Sequence, residues 1–79
     1  MYFVYIIQSE LSPEHYYIGT TTDLDRRLYQ HNYGDSVHSN KFKPWKLVTY
    51  ITFFDKDKAA AFEAYLKTGS GRSFCKRHF

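Results

Sequence analysis

Three side chains able to handle charge fall where helical periodicity turns them inward. From Asp23 to about His31 or Asn32 the spacing predicts a helix whose inward stripe, at i, i+3, i+4 and i+7, is Leu24, Arg27, Leu28 and His31. A second predicted helix, Lys58 to Lys67, turns Ala59, Phe62, Glu63 and Leu66 to the interior. A guanidinium, an imidazole and a carboxylate on buried stripes are costly unless partnered, so they imply either ion pairs or the edge of a cleft. Glu63 requires a cation or a metal as its partner. An Arg27–Glu63 salt bridge would satisfy both helices without any chemistry. Arg26, one position away, points outward.

The elements that must position these residues are short. Tyr2 to Ile7 and Tyr16 to Thr20 are β-branched and aromatic runs, separated by a turn-forming Ser-Pro within Ser9 to His15, and read as an antiparallel hairpin. Alternation puts Phe3, Tyr5 and Ile7 on one face and Tyr17 with Gly19 on one face of the second strand, so Tyr5 and Tyr17 can share a side. Gly19 leaves the backbone open to close approach by another element or a ligand. Thr22 with Asp25 approximates a capping box for the first helix, and Asn32 and Gly34 are its stop signals. Tyr33 to Lys46 is a polar loop or a loop with a short helical turn, and Leu47 to Phe53 is a third strand. Asp55 or Asp57 caps the second helix, Thr68-Gly69 ends it, and Ser70 to Lys76 forms a last short helix. The expected fold is α+β: a three-stranded antiparallel sheet flanked by two or three helices in the order ββαβα(α), one domain over residues 1–79.

Seventy-nine residues lie near the lower limit for folding without disulfides or a structural metal, and the eight tyrosines and seven phenylalanines offset that shortness by burying large areas. The single cysteine, Cys75, excludes an internal disulfide and a cysteine-based zinc site, which fits a reducing cytoplasm. With no apolar run long enough for a bilayer and no signal-peptide pattern, a soluble cytoplasmic protein is expected, without a membrane partner. Lys and Arg outnumber Asp and Glu by 11 to 8. The excess is segregated: Ser36 to Phe54 has no acid and carries Lys41, Lys43 and Lys46, and everything after Glu63 is acid-free and carries Lys67, Arg72, Lys76 and Arg77. These are two surfaces for gripping a polyanion or, alternatively, two solvated faces.

The ordered set Phe3-Val4-Tyr5-Ile6-Ile7, Tyr16-Tyr17-Ile18-Gly19, Thr22-Asp23-Leu24-Asp25-Arg26-Arg27-Leu28 and His31 resembles the GIY-YIG nuclease superfamily. Pro44-Trp45-Lys46-Leu47-Val48 and Tyr65-Leu66-Lys67-Thr68-Gly69-Ser70-Gly71-Arg72 are similar to its small stand-alone bacterial members, which are related to the first incision domain of nucleotide-excision repair. The resemblance implies catalytic roles for Tyr5, Tyr17, Arg27, His31 and Glu63, with Glu63 as the ligand of a single Mg²⁺ or Mn²⁺.

Hydrolysis of a phosphodiester needs a base for the water, positive charge at the developing phosphorane and help for the leaving oxygen. On this resemblance Arg27 stabilises the non-bridging oxygens, Glu63 holds the ion, and Tyr5 and Tyr17 precede His31 as candidates for the base. Phe3 stands where the first motif has glycine, Thr20 where some members have a lysine that assists the base, and Phe62 where an arginine is frequent. The implied function is a metal-dependent endonuclease directed to structured or single-stranded DNA, in preference to RNA, in repair or recombination. Lys41, Lys43, Lys46, Arg72, Lys76 and Arg77 are expected on the nucleic acid, and Phe42 and Trp45 either stack on unpaired bases or, for Trp45, anchor the core. The alternative is a module that binds nucleic acid without cutting it.

Overall fold

The computed structural model describes residues 1–34 and 41–79. Strands β1 (Tyr2–Ser9) and β2 (Tyr16–Thr21) are followed by helix α1 (Leu24–Tyr33), strand β3 (Trp45–Phe53) and helices α2 (Lys56–Leu66) and α3 (Gly69–His78). The sheet is antiparallel with order β2-β1-β3, so β1 is central and β2 lies at an edge. This is the expected α+β arrangement, in the order ββαβαα.

Both faces of β1 are covered, which is why Val4, Tyr5, Ile6 and Ile7 are all buried despite the two-residue alternation of a strand. Tyr5 and Ile7 pack with Trp45, Tyr17, Leu24, Leu28 and Phe42 on the α1 side. Val4 and Ile6 pack with Ala59, Leu66, Ile18, Val48, Phe62 and Phe74 on the side of α2 and α3. The helices therefore sandwich the sheet. Trp45 is 5% exposed and is a core anchor, which removes it as a stacking surface for bases; Phe42 is half-buried between His15 and Trp45.

Several local boundaries differ from the sequence expectation. The N-cap of α1 is Asp23, not Thr22: its carboxylate accepts from the Arg26 backbone N–H at 3.1 Å, and its own N–H donates to Thr21 Oγ1. Asn32 does not stop the helix but lies within it, and its amide pairs with both the N–H and the carbonyl of Trp45, stapling α1 to the start of β3. Gly34 closes α1 by donating to the Gln30 carbonyl. β3 begins at Trp45, and Asp55 caps α2, which starts at Lys56. Thr68 is the N-cap of α3, which is longer than expected because it runs to His78. Gly71 is buried where α3 starts against the end of α2, where a Cβ would meet the Tyr65 carbonyl. The loop expected over 33–46 lies partly outside the described residues.

Candidate active site

Tyr5 and Gly19 are direct partners across β1 and β2. A Cβ on Gly19 would stand 2.5 Å from Tyr5 Oη, so the close approach that this glycine permits is that of the Tyr5 phenol. Helix α1, lying on the same face, brings Arg27 and His31 to that phenol. Tyr5 Oη is 2.8 Å from His31 Nε2 and accepts from Arg27 Nε at 3.3 Å. Arg27 Nη1 donates to Gln30 Oε1 at 3.1 Å, which fixes the plane of the guanidinium. The ring of Tyr17 lies 4.6 Å from that of His31 and 6.3 Å from that of Tyr5.

Burial sets the protonation of this cluster. His31 is 1% exposed, and desolvation, helped by the Arg27 charge, pushes it down to about 4, so it is a neutral imidazole at physiological pH. Its Nδ1 is buried and has no hydrogen-bond partner among the described residues. The direction of the Tyr5–His31 hydrogen bond follows the imidazole tautomer: with the proton on Nε2 the ring donates to Tyr5 Oη, and with the proton on Nδ1 it accepts from the phenol. In either tautomer Tyr5 Oη accepts from Arg27 and is hydrogen-bonded to His31. Burial nevertheless raises the Tyr5 phenol above its usual pKa, outweighing the hydrogen bond and charge of Arg27.

Glu63 approaches from the other side of the sheet. Thr20 follows Ile18 by two positions and so faces α2, where its hydroxyl donates to Glu63 Oε1. Lys67 Nζ lies 2.7 Å from Glu63 Oε2, one helical turn on. Burial opposes ionisation of Glu63, but the hydrogen bonds from Lys67 and Thr20 outweigh it and hold the carboxyl below its usual pKa. Among the described residues no ion pair joins Arg27 to Glu63; the cation on Glu63 is Lys67, because α1 and α2 lie on opposite faces of the sheet. Gly19 and Thr20, adjacent on the edge strand, face Tyr5 and Glu63 respectively, and the Glu63 charge reaches Tyr5 electrostatically.

The sequence expectation thus meets two sub-clusters: Tyr5, Tyr17, Arg27 and His31 in contact, and Glu63 across β2. No three His, Cys, Asp or Glu side chains converge among the described residues. An ionised carboxylate that is 25% exposed still suits a hard divalent cation that keeps most of its waters. Of the basic candidates, Arg72 and Lys76 line a groove with Lys67 and Tyr17, whereas Arg77 is exposed elsewhere on α3. Lys41, Lys43 and Lys46 are exposed, and the Lys41 ammonium lies over the Phe42 ring. Sequence reasoning misses Gln30, Thr20 and Lys67 as members of the site. Lys67 carries a signal, since Glu followed four residues later by Lys is the favourable helical orientation. Cys75 is half-buried against the core on the side of α2 and α3, and its thiol is pushed up by burial, as an inert packed cysteine would be.

Comparison with known proteins agrees with this geometry. Residues 1–76 match the family described as the GIY-YIG catalytic domain. The chain is 43% identical over 65 residues to the structure-specific endonuclease subunit SLX1 of Meyerozyma guilliermondii, a match covering 75% of this chain and 22% of that protein. It is 39% identical over 67 residues to the UPF0213 protein YsiG of Lactococcus lactis, covering 84% of this chain and 62% of that protein. A UPF0213 protein of Streptococcus pyogenes is 34% identical over 70 residues, covering 87% of this chain and 76% of that protein. The chain spans about a fifth of the length of the SLX1 relatives it matches. With the tyrosine pair, the arginine helix and the ionised glutamate in place over nearly all of its length, the chain belongs to the GIY-YIG catalytic domain family.

Proposed function

We propose that this protein is a metal-dependent endonuclease that hydrolyses phosphodiester bonds in DNA. The observation that carries the proposal is the Tyr5 phenol hydrogen-bonded to both Arg27 and His31, with an ionised Glu63 across the edge strand. Tyr5 is the general base: once it has lost its proton, the phenolate accepts from Arg27 and from the Nε2–H tautomer of His31, and takes the proton of the attacking water. Neutral His31 serves as a donor to that oxygen and not as the base, because its pKa of about 4 makes it a weak proton acceptor. Arg27 is permanently charged and planar, and it is oriented by Gln30 to meet the non-bridging oxygens where negative charge develops. Tyr17, half-buried, packs its ring against His31 and beside the Tyr5 phenol.

Glu63 would hold one Mg²⁺ or Mn²⁺, which when bound supplies Lewis acidity to the phosphoryl and leaving oxygens. Thr20 and Lys67 keep Glu63 ionised and oriented for that task. Exposed cations flank the site, which supports a polyanionic substrate such as nucleic acid. The SLX1 relatives are named structure-specific endonuclease subunits, which supports branched or partly single-stranded DNA as substrate and a place in repair or recombination.

The test is cleavage of labelled single-stranded, duplex, flap and branched DNAs with Mg²⁺ or Mn²⁺ by wild type, Glu63→Ala and Arg27→Ala. Cutting by wild type that drops at least about a hundredfold in both variants is expected. A folded wild type that binds these DNAs and cuts none of them would leave a binding module.

A further inference from the structure

The geometry points to a seat for an unpaired stretch of DNA strand in the groove between edge strand β2 and helix α3, an inference that rests on the proposed nuclease activity and specifies its substrate class. The groove has a volume of about 830 Å³ and an apolar floor that includes Ile18, Val48 and Phe79. That volume falls in the range that takes a small organic group, roughly 300–1,000 Å³. Its rim carries Lys67, Arg72 and Lys76, and its one acid among the described residues is Glu14. Arg72 and Lys76 stand one turn apart on α3 and both are exposed. Tyr16, at the start of β2, is 57% exposed.

A duplex could use the rim cations but would leave the floor empty, because its bases are stacked inside and only phosphates and sugars meet a concave wall. An unpaired nucleotide offers both parts at once: phosphates for Lys67, Arg72 and Lys76, and a flat apolar base for the floor and for the Tyr16 ring. Position supports the same occupant. Lys67 lines the groove and also pairs with Glu63 at 2.7 Å, so one cation of the groove is the cation on the carboxylate proposed to serve the scissile phosphate. His15 also lines the groove and stacks on Phe42 at 4.0 Å, which joins it to the basic segment bearing Lys41 and Lys43.

The test is equilibrium binding by fluorescence anisotropy, without added metal, of one single-stranded oligonucleotide and its blunt duplex at fixed salt. The proteins are wild type, the Arg72→Glu/Lys76→Glu variant, Tyr16→Ala and a charge-matched Lys41→Glu/Lys43→Glu variant. The groove variant should weaken single-strand binding about tenfold or more while changing duplex binding less than about twofold, and the charge-matched variant should weaken both alike. Tyr16→Ala should cost about fivefold or more on the single strand only. All substituted side chains are exposed, and thermal melting of each variant checks the fold. An iodouracil-substituted oligonucleotide should photocross-link to Tyr16. Equal losses on both DNAs, no loss on either, cross-links confined to other surfaces, or a dimer in sedimentation that buries this groove would each overturn the assignment. Binding is read independently of cutting, so an uncut substrate panel would count against the nuclease proposal alone.

Discussion

The phenol of Tyr5 occupies the space that a side chain on Gly19 would fill, and its oxygen is where Arg27 and His31 meet. The two tyrosine-containing segments of the hairpin are therefore one device: the glycine of the second makes room for the tyrosine of the first. That room exists because the two residues are direct cross-strand partners.

Gly19→Ala tests this device. The added methyl would meet Tyr5 Oη at 2.5 Å and Cζ at 2.7 Å, and the ring is pinned by two hydrogen bonds and by packing. Overpacking of this kind costs about 1–3 kcal/mol, so Tm should fall by roughly 5 °C or more and cleavage by at least about tenfold. Gly69→Ala is the control, since nothing lies within 4 Å of its Cβ position, and it should melt at or slightly above the wild-type temperature. Equal behaviour of the two variants would refute the packing role.

The pH profile separates the candidate bases. Tyr5 is raised above its usual pKa while His31 is lowered to about 4. If Tyr5 is the base, kcat/KM rises about tenfold per pH unit through the neutral range and does not level off there. A profile that is flat above about pH 5 would instead assign the role to His31.

His31 also makes stability depend on pH. Its folded pKa of about 4 lies below the ordinary 6.5, so the unfolded chain binds the proton first as pH falls. The stabilisation from keeping it neutral is complete above about pH 6.5 and is lost progressively down to about pH 4, up to about 3 kcal/mol. Urea titrations across that window should show the decline, and His31→Gln should flatten it even if the variant is less stable at neutral pH. An unchanged slope in the variant would mean that another group titrates.

Thr20 is expected to matter through Glu63. Thr20→Val keeps the shape but removes the hydroxyl that the carboxylate accepts from, so the Glu63 pKa should move up toward its ordinary value. Cleavage should then need about tenfold more Mn²⁺ for half-maximal rate, with little change at saturation. Mn²⁺ titrations that superimpose for the two proteins would show that the hydroxyl has no part in holding the ion.

Much of this was legible in the residues. The two-residue alternation of the hairpin put Tyr5 and Tyr17 on one side, and the helical period put Arg27, His31 and Glu63 on inward stripes, because these periods are properties of the local backbone. The choice between Thr22 and Asp23 as the cap was not legible, since both are capping residues and only the placement of Thr21 Oγ1 and the Arg26 N–H decides between them. Nor could the length of α3 be read from a segment containing Gly69, Ser70 and Gly71, because its helix is held by packing of Phe74 and Cys75 and by the Thr68 cap.

The sequence by itself determined which side chains turn inward and the family motif they spell. The tertiary structure decided their partners. Arg27 and Glu63 both turn inward, yet they come from helices on opposite faces of one sheet, so Arg27 meets Tyr5 and Glu63 meets Thr20 and Lys67. Periodicity defines a face within an element, whereas the element opposite that face, and the burial that sets the pKa values of Tyr5 and His31, exist only once the layers have packed.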